Sequence, residues 1–336
     1  MRAYWYEKSG AALDVLQSGT ITDPVPVAGE VRIRVAFSAI NPTDVKRRQT
    51  GRELGPFSRI IPNNDGAGTI DVVGEGVPAS RLGQRVWIFG AQAGRPNGTA
   101  AQYVTLPSRQ AIALPSSAKL IDGACLGVPA VTAHRALFAD GSIAGQTILV
   151  TGAAGRVGSY AVQLAKWAGA RVIATAASAE KVAAINSLGA DLVVDYVAGD
   201  IEKAILTFTE GVGVDRVVDT AFSHTIQMAP RIVRSNGVVA TYSSDADPTP
   251  RIPFHGLMYK NITIRPLAIF AMPAEAQDRA FADVTAALRA GALRHRIGRR
   301  FGFDQMAQAH AAMEEGGIWG CLVVDLSASA SACAEH

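Results

Sequence analysis

The first third of the chain alternates apolar and polar positions with the period of a β-strand. The segment VRIRVAF, from Val31 to Phe37, places apolar and basic residues on opposite faces, which predicts a strand with one face in water. The shorter apolar runs GTIDVV, RVWIFG and QYVTLP follow, separated by glycine and proline turns. This pattern predicts a strand-rich region that extends to about Asp122.

After Asp122, apolar runs of strand length alternate with helical segments. TILVTG suits a strand buried on both faces, and further strands are predicted at ARVIAT, ADLVVDY, DRVVDTA, GVVATYS and NITIRP. A helix is predicted after Gly155, ending at Gly169, with its apolar stripe at Val157, Ala161, Leu164, Ala165 and Ala168. The alternation is typical of an open, doubly wound parallel sheet. A later helix, AEAQDRAFADVTAALRAGAL, precedes the strand GCLVVDL, which we expect to return to the first region.

Length and charge narrow the classes of protein. A chain of 336 residues exceeds the usual size of one hydrophobic core, so two domains are expected. With 49% hydrophobic and 18% charged residues, the composition is that of a globular protein. The net charge of +3 implies no partner. Basic clusters at Lys46–Arg48 and Arg294–Arg300 lack interleaved aromatic residues, so we do not expect nucleic-acid binding.

The sequence also bears on location and on metal or disulfide chemistry. The N-terminus has no apolar run of the signal-peptide type, and no stretch of about 18 uninterrupted apolar residues is present, so we expect a cytoplasmic protein without membrane contact. Cys125, Cys321 and Cys333 are widely separated and show no CxxC spacing. They therefore indicate neither a disulfide framework nor a structural zinc site.

The predicted strand TILVTG ends at a glycine, Gly152, and two further glycines follow at Gly155 and Gly158. A turn between a strand and a helix directs backbone amides and the positive end of the helix dipole at one point, where a phosphate fits. The spacing differs from the standard G-x-G-x-x-G motif, and the alternative interpretation is that the glycines only allow close packing of strand and helix. The strand before and the helix after favour a dinucleotide site.

The next strand end indicates which dinucleotide is bound. An NAD site usually has an acidic residue about 20 residues after the first glycines, to bond the ribose 2′-hydroxyl. The sequence here is ATAASAEK, and no acid ends the strand. Ser178, Lys181 and Tyr196 instead suit a 2′-phosphate, although Lys181 on its own would read as a solvated helix residue. These residues predict NADPH.

Other enzyme classes lack their motifs. A short-chain dehydrogenase needs a Tyr-x-x-x-Lys pair downstream of the glycine turn, but Tyr4 and Lys8, the one such pair, lie far upstream. Gly-x-Ser-x-Gly, His-Glu-x-x-His and Walker motifs are absent from the sequence. Hydrolase and nucleoside triphosphatase functions therefore have no support.

Taken together, VTGAAGRVG, INPTDVKRR and GIWGCLVVDL resemble the zinc-free branch of the medium-chain dehydrogenase/reductase superfamily, in particular quinone oxidoreductases of the zeta-crystallin type. The resemblance extends from Met1 to about Leu326. It implies an α/β protein with a strand-rich, GroES-like catalytic domain at residues 1–122 and 272–336. It also implies a doubly wound Rossmann domain that binds NADPH at residues 123–271.

The resemblance also implies that no metal is bound. In the zinc-bearing branch, a cysteine occupies the place of Asn41, a His-Glu pair occupies the places of Asn64 and Asp65, and a third ligand lies near Val128. Catalytic zinc takes histidine nitrogen, cysteine sulfur or converging carboxylates, which this set does not supply. A segment with four cysteines in that branch has no cysteine here.

The resemblance implies two groups of site residues. The catalytic candidates Asn41 and Lys46 would border the nicotinamide, on a loop that Asp44 fixes. The remaining cofactor candidates are Thr132, the pyrophosphate residues Ala154, Gly155, Arg156 and Val157, the 2′-phosphate residues Ser178, Lys181 and Tyr196, and the loop residues Ser243, Ser244, Ile269 and Phe270.

This chain departs from its relatives at several of these positions. Lys46 stands where these relatives often have a tyrosine, and Arg156 stands where most of them have a glycine. The neutral run GGIWGC stands where a basic residue commonly precedes the last strand.

The expected activity is metal-independent hydride transfer from NADPH to a quinone or an α,β-unsaturated carbonyl compound, with the cofactor in a cleft between the domains. The alternative is a catalytically weak NADPH-binding sensor or structural protein, because a fold alone does not fix function. The apolar segment NITIRPLAIF predicts an exposed sheet edge, and pairing of two such edges predicts a homodimer.

Overall fold

The computed structural model describes residues 1–51 and 55–327, so Cys333 lies outside the described residues. In chain order, the strands are β1 (Arg2–Trp5), β2 (Gln17–Thr20), β3 (Glu30–Ile40), β4 (Asp65–Val73), β5 (Arg85–Ile88), β6 (Tyr103–Pro107), β7 (Ala111–Ala113), β8 (Thr147–Val150), β9 (Arg171–Ala176), β10 (Leu192–Asp195), β11 (Val214–Asp219), β12 (Val233–Thr241), β13 (Thr263–Pro266), β14 (Ile297–Gly302) and β15 (Cys321–Asp325). The helices are α1 (Ala12–Val15), α2 (Pro42–Thr50), α3 (Leu120–Ala124), α4 (Gly127–Phe138), α5 (Arg156–Trp167), α6 (Ala179–Asn186), α7 (Ile201–Phe208), α8 (Phe222–Ile232), α9 (Phe254–Tyr259), α10 (Ala274–Arg289) and α11 (Met306–Glu315). None of the helices among the described residues combines the length and the apolar character needed to cross a bilayer.

The first compact unit comprises Met1–Val128 and His295–His336. Its main sheet has the strand order β14-β15-β3-β4-β5-β7, and β6 also pairs with β3. Strand β3 has the predicted alternation, with buried positions at every second residue from Val31 to Val35. The final strand β15 pairs antiparallel with β3, which confirms that the chain returns to the first unit.

The second unit is Pro129–Arg294, which contains a six-stranded parallel sheet in the order β10-β9-β8-β11-β12-β13. This order, with its reversal at β8, is that of a Rossmann sheet. All four residues of β8 are buried, as expected for a central parallel strand. The strand-rich unit and the doubly wound unit together confirm the expected fold class.

The division between the units differs from the expected boundaries after residues 122 and 271. Helix α10 lies in the second unit, where it packs against α5. Asp283 on α10 also hydrogen-bonds the ring of His134 on α4, with 2.8 Å between oxygen and nitrogen. Helix α10 therefore belongs to the second compact unit, which extends to Arg294.

A buried charged group connects α2 and α11 in the first unit. The Arg48 side chain is fully buried, pairs with Glu314 and donates to the carbonyl oxygen of Gly10. His310 is also fully buried, and neither ring nitrogen has a hydrogen-bond partner among the described residues. Burial, with a smaller effect from the Arg48 charge, lowers the pKa of His310 to about 3.

This histidine predicts a pH dependence of stability. Because the pKa of His310 is lowered in the folded state, its contribution is fully present above the unfolded value near 6.5 and is lost as the pH falls toward about 3. We expect a loss of about 1.4 kcal/mol per pH unit from this group between those values. Equilibrium urea unfolding at several pH values should show a shallower acid slope for His310→Leu. The same change at the exposed His224 should keep the wild-type slope, and equal slopes in all three proteins would contradict the prediction.

Candidate functional site

The glycine-rich turn joins β8 to the N-terminus of α5. Gly152 has a left-handed backbone, with φ of +57°. A Cβ atom on Gly158 would lie 2.5 Å from the carbonyl oxygen of Gly152 and 2.7 Å from the Cα of Ala153. The third glycine therefore allows the helix to approach the turn closely, and the positive end of the α5 dipole lies at this turn.

The neighbouring strand holds this turn in place. The hydroxyl oxygen of Thr175, near the end of β9, accepts a hydrogen bond from the Gly152 amide at 3.1 Å. The carbonyl oxygen of Thr175 accepts a second bond from the amide of Ala153, also at 3.1 Å. The sequence indicated no role for Thr175, and its support of the turn is visible only in the structure.

Asp219, at the end of β11, supports the turn from the other side. Its Oδ1 accepts the hydroxyl of Thr151 at 3.0 Å, the hydroxyl of Thr225 at 2.5 Å and the amide of Ala221 at 3.1 Å. Thr151 also accepts from the amide of Thr220 at 3.0 Å. Asp219 is not among the site residues predicted from the sequence, although an acid at the end of a buried strand is a signal that could have identified it.

The three candidates for a 2′-phosphate lie at the ends of β9 and β10. Ser178 caps α6, where its hydroxyl oxygen accepts the amide of Lys181 at 3.4 Å. Lys181 is therefore in the first turn of that helix. Tyr196 follows β10, its amide donates to the carbonyl oxygen of Ala176 at 3.0 Å, and its side chain is 49% exposed. The structure thus places the three residues at the carboxyl ends of two neighbouring strands.

The other cofactor candidates of the second unit lie on α4 and on two loops. Thr132 is buried on α4. Ser243 and Ser244 follow the end of β12, and Ile269 and Phe270 lie in a 3₁₀ turn after β13. The loops are joined at their base, because the amide of Leu267 donates to the carbonyl oxygen of Thr241 at 2.8 Å. In a parallel sheet these strand ends share the edge that carries the glycine turn.

In the first unit, buried polar groups surround the start of α2. Asn41 is 3% exposed, and its backbone amide donates a hydrogen bond to Oδ2 of Asp44 at 2.7 Å. Oδ1 of Asp44 accepts from the backbone and side-chain amides of Asn64, at 3.2 and 2.7 Å. Asp44 thus fixes this loop, as expected. Burial raises the pKa of Asp44, and these hydrogen bonds oppose the increase.

Asp65 contacts the other two positions that correspond to zinc ligands in the zinc-bearing branch, Asn41 and Val128. Its Oδ2 accepts Nδ2 of Asn41 and the backbone amide of Val128, both at 2.7 Å. Burial raises the pKa of Asp65 well above its ordinary value, and the nearby Asp44 raises it further. The side chain of Asn64 points instead to Asp44.

This group does not fit a zinc ion. An amide and a backbone N–H both donate to the one carboxylate that zinc would require. Within residues 1–51 and 55–327, no cluster of three or more His, Cys, Asp or Glu side chains could hold a metal. Lys46, five residues after Asn41, lies on the exposed side of α2.

Two family models match the chain. Residues 27–116 match the alcohol dehydrogenase GroES-like domain, and residues 157–285 match a model described as zinc-binding dehydrogenase. The first match lies in the strand-rich unit and the second in the Rossmann unit.

Individual proteins show the same likeness. A chloroplastic quinone-oxidoreductase homologue of Spinacia oleracea is 35% identical over 66% of this chain and 68% of its own. A solved NAD-dependent alcohol dehydrogenase superposes with a TM-score of 0.85 at 26% identity, covering 97% of this chain and all of its own. A mycobacterial protein solved in complex with NADPH has a TM-score of 0.82 at 25% identity, with the same coverage. The chain belongs to the medium-chain dehydrogenase/reductase family, in its quinone oxidoreductase-like group.

Proposed function

We propose that this protein transfers hydride from NADPH to a quinone or an α,β-unsaturated carbonyl compound without the help of a metal. The observation that carries the proposal is that Asn41 and Val128 both donate hydrogen bonds to Asp65. In the zinc-bearing branch these positions would supply or adjoin the zinc ligands, whereas here they bond to one another. The quinone oxidoreductase-like family supports the reaction class.

The residues of the second unit fit a dinucleotide with a 2′-phosphate. The glycine turn is supported on both sides, by Thr175 and Asp219, and can take the pyrophosphate at the α5 N-terminus. Ser178 and Lys181 offer a hydroxyl and an ammonium group beside the end of β9. One of the two similar solved structures is described as NAD-dependent and the other is a complex with NADPH, so overall similarity does not decide between the two nucleotides. The residues at the ends of β9 and β10 support the choice of NADPH.

The acceptor is proposed from the polar groups available for it. NADPH, when bound, supplies the hydride, and negative charge then develops on the acceptor oxygen. The amide of Asn41 and the ammonium of Lys46 are the proposed donors toward that charge, and water is the proposed source of the final proton. These groups stabilise less charge than a metal would, so an acceptor that delocalises the charge by conjugation is favoured.

The proposal predicts activity that does not depend on metal. A spectrophotometric screen of NADPH oxidation with quinones, enones, enals and enoyl thioesters should find acceptors among conjugated compounds. Because the Asn41 and Asp65 contact leaves no competent ligand set, activity should survive exhaustive chelation and should not rise with added zinc. Activity that disappears with a chelator and returns with zinc would contradict the proposal. Tight NADPH binding without oxidation by any acceptor would instead favour a sensor or structural role.

A second prediction concerns cofactor choice. A charge-assisted hydrogen bond contributes about 1.5 to 3 kcal/mol, so Lys181→Ala should weaken NADPH binding by about 10- to 100-fold and leave NADH binding nearly unchanged. Fluorescence titration of both nucleotides measures the two dissociation constants. Lys203→Ala, at an exposed lysine on α7, removes the same charge and should change neither constant. Equal losses for both nucleotides in Lys181→Ala would show that Lys181 supports the fold and does not bind the phosphate.

We also propose that the protein is a homodimer that pairs at β13. This strand lies at the edge of the six-stranded sheet, so one side of it has no neighbouring strand among the residues that the structure describes. The adjacent α9 exposes Phe254 at 59% and Tyr259 at 78%. An apolar groove of about 460 Å³ lies beside Phe254, and Leu257, Ile262 and Ile264 are among the residues that line it. A second copy of the same edge would cover both the strand and the groove.

The dimer prediction is tested by mass in solution. Light scattering at micromolar concentration should give twice the 35.1 kDa of one chain. Tyr259→Asp should shift the population toward monomer, because a charge would be buried at the proposed interface. Val212→Asp places the same charge on a valine that is 63% exposed elsewhere in the unit, and it should remain dimeric. A monomeric mass for the unaltered protein would overturn this part of the proposal.

A further inference from the structure

Asp65 is a buried carboxyl for which the proposed reaction has no direct use. It is 1% exposed, and its Oδ1 has no hydrogen-bond partner among the described residues. Gly127 keeps the space for it, because a Cβ atom there would lie 2.0 Å from Oδ1. A buried polar atom without a partner is costly, so the position calls for a functional explanation.

The two donors on Oδ2 decide where a proton on this carboxyl sits. A backbone N–H can only donate, so Oδ2 accepts from Val128 in either protonation state. A proton on Asp65 therefore resides on Oδ1, the oxygen without a partner. Burial, which raises the pKa of Asp65, favours this neutral form.

The same geometry fixes the amide of Asn41. Because Oδ2 is an acceptor, Asn41 must present its NH₂ end to Asp65, at 2.7 Å, and not its carbonyl oxygen. Turning the amide over would place its oxygen against a carboxyl oxygen and lose this bond. The backbone of Asn41 is held independently by Asp44. One Nδ2 hydrogen is thus committed to Asp65, and the second is left for another acceptor.

We propose that Asp65 is a positioning residue, which holds the Asn41 amide through Oδ2 so that its second Nδ2 hydrogen is aimed at the reacting oxygen of the acceptor. This inference rests on the proposed function of Asn41 and extends it to a residue that does not touch substrate. Gly127 has a part in it, because any side chain at that position would displace the carboxyl.

A double-mutant cycle tests the proposal, because residues that act through one contact show non-additive losses. Asn41→Ala and Asp65→Ala should each lower kcat for a quinone by about 10-fold, and Asp65→Ala should leave the NADPH dissociation constant nearly unchanged. The double variant should lose no more than Asn41→Ala alone. Asp65→Asn keeps an acceptor oxygen for both donors, so it should restore kcat to within about 3-fold of the unaltered protein.

The controls separate positioning from stability. Asp71→Asn makes the same chemical change on β4, at a carboxyl that pairs with Arg32, and should keep full kcat. Gly127→Ala, which leaves Asp65 present but displaces it, should lower kcat as Asp65→Ala does. Thermal midpoints identify any variant that fails to fold, and Asp65→Asn and Gly127→Ala keep the proposal falsifiable if Asp65→Ala is one of them.

Two failures are distinguishable in this experiment. An active unaltered protein with additive losses in the cycle, or with full kcat in Asp65→Ala, overturns the role of Asp65 and leaves the proposed function standing. If the unaltered protein fails to oxidise NADPH with every acceptor in the screen, the proposed function is overturned, and the role of Asp65 in that function is overturned with it.

Discussion

The pairing of β3 with β4 and β15 is the constraint on which the first unit depends. Ala39 lies opposite Asp65 on β4 and opposite Val323 on β15, and Asn41 follows two residues later. Neighbouring strands are about 4.8 Å apart, so this register brings the Asn41 and Asp65 side chains within hydrogen-bonding distance. A shift of one residue would turn Asp65 to the other face of the sheet. The apolar residues that set the register therefore also place the polar group.

In the second unit, strand pairing likewise places the polar side chains of the site, here at the carboxyl ends of the parallel strands. Thr151, Thr175 and Asp219 lie at or near the ends of neighbouring strands, and their hydrogen bonds hold the glycine turn between them. Each of these side chains is buried, so water competes little for the bonds. The turn is thus prepared before a ligand arrives, which reduces the ordering that binding would require.

The sequence predicted the elements well where local patterns determine them. The alternation in VRIRVAF predicted β3, and the sequence of strand, glycines and helix predicted the β8–α5 turn, because period and turn chemistry are local properties. The contacts of Asp65 and Asp219 could not be predicted, since their partners come from distant segments. Strand β14 was also missed, because RHRIGRR was considered only as a cluster of charge.

Two buried carboxyls lie together in the first unit, and their surroundings favour the ionised form more strongly at Asp44 than at Asp65. Asp44 accepts donors on both oxygens, whereas Asp65 has a partner on Oδ2 only, so the ionised form is better supported at Asp44. The charge of Asp44 in turn favours a neutral Asp65. Under the proposed function this division matters, because an ionised Asp65 one amide away would repel the charge that develops on the acceptor. At an effective dielectric constant of about 20, two like unit charges repel by about 4 kcal/mol at a separation of about 4 Å and by less at longer range, so a neutral carboxyl can hold Asn41 without opposing the reaction.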